Sequence, residues 1–276
     1  METITCYLQG GLGNQLFILF TMLNYHLKYN FKIMLPYNNR ISDRKFYWEN
    51  FLSALKEYTL PISSDEITFS KFREKEMFEY NPIPIIKKSF CIFGYFQNFN
   101  YFHEYKNEIL KFINFENQVE IVKKKYEFDY TNIISLHFRI GDAKINTGFI
   151  ILEIEYYIKA INAILKKFEG KYNILYFYEK EDTILVNDKI KILVVNFPNL
   201  NFIPIDTTIE DYEQMVIMSL CKHNIIANST FSWWGAYLNV NKDSVKVYPS
   251  KYFMNYNSHM EKNVFKLFLD SWIKII

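Results

Sequence analysis

Only three cysteines, Cys6, Cys91 and Cys221, occur in 276 residues. They are far apart and form no CxxC pair, which excludes a disulfide framework and a cysteine-held zinc site and fits a reducing, cytoplasmic location. Charge of one sign is also missing. Lys plus Arg number 32 against 30 Asp plus Glu, so the chain lacks the excess cation of a protein held to nucleic acid by phosphate neutralisation, and no nucleic-acid partner is expected. The lysine runs at Lys123 to Lys125 and Lys166 to Lys167 fall on amphipathic helical stretches, where a solvated face explains them. No apolar run approaches the length of about 18 residues that a membrane-spanning helix needs, and no transmembrane segment is expected. The opening residues, METITCYL, lack the basic start and apolar run of a secretory signal. Internal repeats and low-complexity tracts are absent too. What remains is packing material: 50% hydrophobic and 19% aromatic residues with 22% charged. At this length two domains bury surface better than one.

The order of elements predicts an α/β protein. Thr3 to Leu8 reads as a strand, the glycine turn Gly10 to Gly13 leads into a helix with Leu16, Phe20, Leu23 and Leu27 on one face, and Phe31 to Leu35 reads as a second strand ended by Pro36. The stretch from Tyr37 to Pro84 gives no clear assignment. Phe90 to Phe96 is a strand and Tyr105 to Tyr126 a helix. A second series follows from Tyr130: strands at Ile133–Phe138, Ile174–Tyr178, Ile192–Asn196, Asn224–Ala227 and Val245–Tyr248, and helices at Glu153–Phe168, Ile209–Cys221 and Phe231–Leu238. Lys262 to Ile276 reads as a final helix. The domains expected are 1–128 and 129–276, with the last helix able to pack back on the first.

Ligands of open parallel sheets gather at the carboxyl ends of strands, where helix N-termini point unpaired N–H groups outward. Three polar loops sit there. In Gly10 to Phe17, GGLGNQLF, glycines 10, 11 and 13 permit a tight turn and close approach, and Asn14 and Gln15 offer amides at a helix start. The dinucleotide fingerprint is not met, because Leu16 stands where a third glycine is required, and the second strand ends at Leu35-Pro36 without an acidic residue for a ribose; this argues against a nicotinamide-dependent oxidoreductase. In the second loop, His137 to Asp142, alternation turns His137 and Arg139 to one face. A guanidinium there suits a diphosphate and the charge of a departing nucleotide; a core histidine beside an Arg139–Asp142 surface pair is the alternative. In the third, Asn228, Ser229, Thr230, Phe231 and Ser232 start a helix, where hydroxyls serve as caps or as phosphate ligands. Trp233 and Trp234 behind them read as core.

Taken in this order the loops resemble the α-1,2-fucosyltransferases, the inverting glycosyltransferases of family eleven. Gly94 to Phe102, Leu152 to Ile161, Asp211 to Leu238 and Val247 to Phe253 carry the likeness along nearly the whole chain, most specifically in Asp211 to Leu238. The resemblance implies a GT-B-like pair of Rossmann-type domains facing across a cleft, GDP-fucose held chiefly by the C-terminal one, a glycan acceptor on the N-terminal side and no obligatory metal or other cofactor. It agrees with the lack of an Asp-x-Asp carboxylate pair. It further implies that Arg139 binds the β-phosphate, His137 lines the nucleotide pocket, Asn228 to Ser232 hold diphosphate and fucose, and Gly11, Gly13 and Asn14 close over the donor. Asp142 is the carboxylate nearest the chemistry. Ile140 stands where the family has a second arginine, Ala143 where it commonly has tyrosine, and Tyr178 to Asp182 replace its usual serine and aspartates. Ile140 and Ala143 favour a rival reading, a catalytically silent glycan- or nucleotide-binding protein, while the intact phosphate loop favours the enzyme; the change at Tyr178 to Asp182 leaves open which carboxylate reads the guanine.

Overall fold

The computed structural model describes residues 1–38, 45–144, 148–168, 170–254 and 258–276, with backbone alone at Asn38, Asp142, Ala143, Ser258 and His259. Two compact units divide the chain: Met1–Gln118 with Lys262–Leu269, and Val119–Glu261 with Asp270–Ile276.

In the first unit, β1 (Thr3–Cys6) leads through the glycine turn into α1 (Leu12–Tyr29), and β2 (Lys32–Ile33), β3 (Leu35–Asn38), β4 (Thr59–Ser63), β5 (Ser70–Arg73) and β6 (Phe90–Phe93) follow. Four of these strands form an all-parallel sheet in the order β2-β1-β6-β5. Strands β3 and β4 pair apart from it. Pro36 does not end the second strand as the sequence suggests; it lies inside β3, which needs no donor from it because the pair has free edges. Next come α2 (Lys106–Phe112) and α3 (Phe115–Lys125). The single helix expected from Tyr105 to Tyr126 is broken at Asn114, whose φ of 54° is left-handed and stops the helix with Asn's tolerance of that region.

The second unit carries β7 (Ile133–His137), α4 (Ile154–Leu165), β8 (Asn173–Phe177), α5 (Thr183–Asn196), β9 (Asn201–Pro204), α6 (Asp211–Leu220), β10 (His223–Ile225), α7 (Thr230–Tyr237), β11 (Lys246–Pro249), α8 (Ser258–Asn263) and β12 (Ile273–Ile275). Its sheet has six parallel strands ordered β12-β11-β10-β7-β8-β9. Numbered within the unit, that is the doubly wound order 6-5-4-1-2-3, with its reversal between β7 and β10. Central strands are buried on both faces, as Ile133, Ile134, Ser135 and Leu136 show.

Two expectations fail here. Ile192 to Asn196 is not a strand but the end of α5, whose β-branched residues Ile192 and Val195 are exposed while Val186 and Leu193 face the core. A helix apolar on both sides erases the periodicity on which the assignment rests; the strand is Asn201–Pro204. Nor is Lys262 to Ile276 one helix. It turns after Leu267 and ends as β12, where alternating Ile273 and Ile275 pack on the core cluster.

Buried polar groups tie this sheet together. Asn224 Nδ2 donates to Ser135 Oγ and the Met218 carbonyl, both at 2.7 Å, and its Oδ1 accepts from Asn239 Nδ2 at 2.7 Å. His223, fully buried beside the Phe168 and Tyr172 rings, accepts from the Val245 amide at Nδ1, 3.1 Å away. Burial, with Lys222 and Lys246 adding to it, lowers the imidazole to about 4. An unfolded histidine titrates near 6.5. The folded protein therefore refuses a proton that the unfolded chain accepts below about pH 6.5; stability is full above that value, falls as pH drops towards 4, and levels off beneath it. Thermal unfolding across pH 7 to 4 should show this slope, worth up to about 3 kcal/mol from this residue. His223→Gln should flatten it, and an unchanged slope in that variant would assign the effect elsewhere.

Candidate donor site

At the reversal of strand order, the loops after β7 and β10 emerge side by side, because Leu136 pairs with Ile225. This is where the sequence puts two of its three polar loops.

From the end of β7, His137 sits half-buried with its ring 5.7 Å from that of Phe231. Its Nδ1 has no hydrogen-bond partner among the described residues. Burial, and next the Arg139 guanidinium, drive the imidazole down to about 3, so at neutral pH it is an uncharged ring with an acceptor or donor to offer. Arg139 lies over the Phe149 ring at 4.8 Å, and Phe149 packs on Phe253 with centroids 5.3 Å apart. Packing on the phenyl face helps place the guanidinium in this loop, and its planar fork of N–H groups is of the kind that suits an anion. Ile140 is 2% exposed and belongs to the core cluster, so the side chain at that position points away from the loop's polar face. Gly141 and Asp142 lie in a 3-10 turn, Gly141–Lys144; the side chain of Asp142 lies outside the described residues.

That turn is fastened by a residue from the segment whose role the sequence leaves open. Asp182, 1% exposed, accepts from the Gly141 amide at 2.7 Å and from Lys144 Nζ. Glu179 comes so close that a Cβ added at Gly141 would meet its carboxylate. Two acidic groups of Tyr178 to Asp182 thus pack against the Arg139 loop from the β8 side.

From β10, Asn228 is wholly buried and uses Nδ2 to hold the carbonyls of Ile150 (2.8 Å) and Tyr252 (3.1 Å), drawing in the segments that carry Phe149 and Phe253. Its Oδ1 has no partner among the described residues. Ser229 caps α7, its hydroxyl accepting from the Phe231 amide at 3.3 Å, and Ser232 Oγ accepts from the Ala227 amide at 3.2 Å. Both hydroxyls are engaged within the turn, as are the Ser229, Phe231 and Trp233 amides, so the positive end of the helix dipole is what the turn adds to the site. Thr230 and Phe231 are half-buried at its mouth. Trp233 and Trp234 are fully buried and pack with Tyr237 and Trp272, as core residues do.

The structure therefore brings together His137, Arg139, Asn228, Ser229, Thr230, Phe231 and Ser232. Sequence reading missed Phe149, Tyr252 and Phe253 as parts of this cluster; the aromatic end of Val247 to Phe253, just past β11, was the signal available. Glu261 holds that end by accepting from the amides of Tyr252 (3.1 Å) and Phe253 (2.7 Å).

Gly11, Gly13 and Asn14 belong to the first unit. Gly10 alone of the three turn glycines is left-handed, at φ 73°, and a Cβ there would collide with Asn14. Gly11 is an extended N-cap residue with open space beside it, so backbone conformation does not demand a glycine there. Asn14 Oδ1 accepts from Gln97 Nε2 at 3.0 Å, and Gln15 staples the turn by donating to the carbonyls of Gly10 (3.0 Å) and Lys45 (3.1 Å).

Comparison with known proteins agrees with this architecture. The chain is 30% identical to the O-antigen biosynthesis glycosyltransferase WbnK of Escherichia coli, over 97% of this chain and 99% of the relative. It is 27% identical to an alpha-1,2-colitosyltransferase of Escherichia coli, over 75% of this chain and 69% of the relative. Among solved structures, E. coli heptosyltransferase WaaC with ADP superposes with a TM-score of 0.51 at 9% identity, over 99% of this chain and 92% of that one. The fold is α/β and GT-B-like, with two Rossmann-type units. No helix among the described residues is long and apolar enough to cross a membrane. The profile of glycosyl transferase family 11 matches residues 5–276, and the chain is a member of that family, a glycosyltransferase.

Proposed function

We propose that the protein transfers L-fucose from GDP-β-L-fucose to a hydroxyl of a glycan acceptor, inverting the anomeric centre to give an α-1,2 linkage. The observation that carries the donor assignment is the meeting, at the strand-order reversal, of the Arg139 loop with the Asn228 to Ser232 turn. An arginine fork, a helix N-terminus and the buried acceptor Asn228 Oδ1 form a polar set suited to a diphosphate and a sugar hydroxyl. The acceptor oxygen forms its bond to the anomeric carbon as the bond to the β-phosphate oxygen breaks. The transition state resembles an oxocarbenium ion, so the main demand is on holding the departing GDP, the task given to Arg139. Asp142 is the proposed recipient of the acceptor's proton or the orienter of Arg139. Gly11, Gly13 and Asn14 are proposed to complete the donor site.

A second reading, favoured by the colitosyltransferase among the relatives, keeps the site and exchanges fucose for colitose. Incubating the protein with each GDP-sugar and a panel of β-galactosides, with product linkage read by NMR, separates the two. Neither sugar transferred and no GDP released would leave the silent-binder reading standing. We propose that the reaction needs no metal and takes place in the cytoplasm; turnover in excess EDTA should match that in added magnesium, and a loss beyond about tenfold on chelation would place a cation on the diphosphate.

A further inference from the structure

Outside the donor loops, one cluster of charge in the first unit has no task yet. The register of β5 against β6 pairs Lys71 with Cys91 and Arg73 with Phe93, and that of β1 against β6 pairs Thr5 with Cys91. Paired residues share a sheet face, so Lys71, Arg73, Phe93 and, one step beyond β1, Tyr7 stand on the same side. Tyr7 and Phe93 rings touch at 4.9 Å. Arg73 lies over Phe93 at 4.3 Å, and Lys71 reaches both rings, at 5.1 Å from Phe93 and 5.5 Å from Tyr7. Both cations are exposed, and among the described residues neither has a carboxylate partner. The nearby acids are otherwise engaged: Asp65 accepts from the Tyr7 hydroxyl at 2.9 Å, Glu66 from the Ser63 amide at 2.7 Å, and Glu74 from the Tyr95 amide at 2.7 Å.

Lysine and arginine on an edge strand also deter pairing with another sheet. That purpose does not require both on the face that carries two aromatics, nor Arg73 at the carboxyl end of β5 beside that of β6, where parallel sheets meet their ligands. Stacking at 4.3 Å restrains the exposed Arg73 guanidinium, and a guanidinium so restrained is suited to act as an oxyanion fork.

We infer that Lys71 and Arg73, held on the rings of Phe93 and Tyr7, form an anion site that takes a phosphate or carboxylate borne by the acceptor glycan. The acceptor role rests on the transfer reaction proposed above; the anion site itself does not. Direct binding tests it without the donor. Ligand-observed NMR titrations of galactose 1-phosphate, galacturonic acid, galactose and inorganic phosphate are compared on the full chain, on Lys71→Gln/Arg73→Gln and on Arg139→Ala. The anionic sugars should bind at least roughly tenfold more tightly than galactose, as one or two charge-assisted bonds warrant. The double variant should lose that advantage and Arg139→Ala should keep it; Arg73→Lys, which retains charge without the fork, should keep part. Galactose 1-phosphate against galacturonic acid tells phosphate from carboxylate, and inorganic phosphate tells whether the sugar contributes. The inference is overturned if the native chain shows no advantage, if the double variant retains it, or if Arg139→Ala abolishes it, which would put the anion in the donor loop. Failure of GDP-fucose turnover alone would sink the donor assignment and leave these titrations intact.

Discussion

Arg139→Ala should lower transfer from GDP-fucose on the order of 10³-fold, the scale on which removing one preorganised donor to developing charge slows acyl and phosphate leaving-group chemistry. The loss belongs in kcat, because charge on the β-phosphate oxygen grows as the glycosidic bond lengthens and is only partly present in the bound donor. The fold should survive. The guanidinium's packing over Phe149 is worth about 1 kcal/mol, and its loss should move the melting temperature by about 2–4 °C. Arg139→Lys separates charge from geometry: an ammonium keeps the Coulomb attraction but cannot present two parallel N–H groups, and it should recover only part of the rate. Stopped assays of GDP release with and without acceptor check both variants. Turnover of Arg139→Ala within about tenfold of the native rate would remove this side chain from the mechanism, and a second cation would have to be sought beyond the neighbouring position, where Ile140 is buried.

What could be read in the sequence was local in origin. The strand, glycine turn and helix at Thr3 to Tyr29, and the polar turn between β10 and α7, are legible because strand, cap and helix signals follow one another within a few residues. The reach of the Arg139 loop towards Asn228 was legible only through the resemblance, since residues some ninety positions apart meet by sheet order, which no local pattern encodes. The end of helix α5 was misread because its exposed side is as apolar as its buried side, so Ile192, Val194 and Val195 imitate a buried strand. Strands β4 and β5 were invisible for the opposite reason: TLPIS and SKFR carry a proline or charges and few β-branched residues, and tertiary pairing overrides their weak propensity. The cations of β5 were thereby hidden as well. The ordering role of Asp182 could not be seen at all, because a carboxylate in Tyr178 to Asp182 invites a ligand-reading role until the Gly141 amide is found 2.7 Å away.

Asp182 gives the second large effect. It is wholly buried, and its two oxygens close the turn that follows Arg139 by accepting from the Gly141 amide and from Lys144. Asp182→Ala leaves the Gly141 N–H without its acceptor, a cost of about 1–3 kcal/mol, while the exposed Lys144 ammonium turns to water. Part of that cost should appear as a lower melting temperature and part as disorder in the loop. A shift of about 1 Å in Arg139 is enough to cost on the order of 10²-fold in rate, so kcat should fall by that order in a protein that remains folded at 20 °C. Asp182→Asn is the informative companion. Its amide oxygen can still accept from Gly141 while the charge facing Lys144 is gone, so it should keep the turn and most of the activity if the hydrogen bond positions the loop, and should behave as the alanine variant if the charge does. A positioning role also predicts that Arg139→Ala and Asp182→Ala are far from additive: once the guanidinium is absent, loosening its loop has little left to cost. Additive losses in the double variant would mean that Asp182 acts on the reaction independently of Arg139.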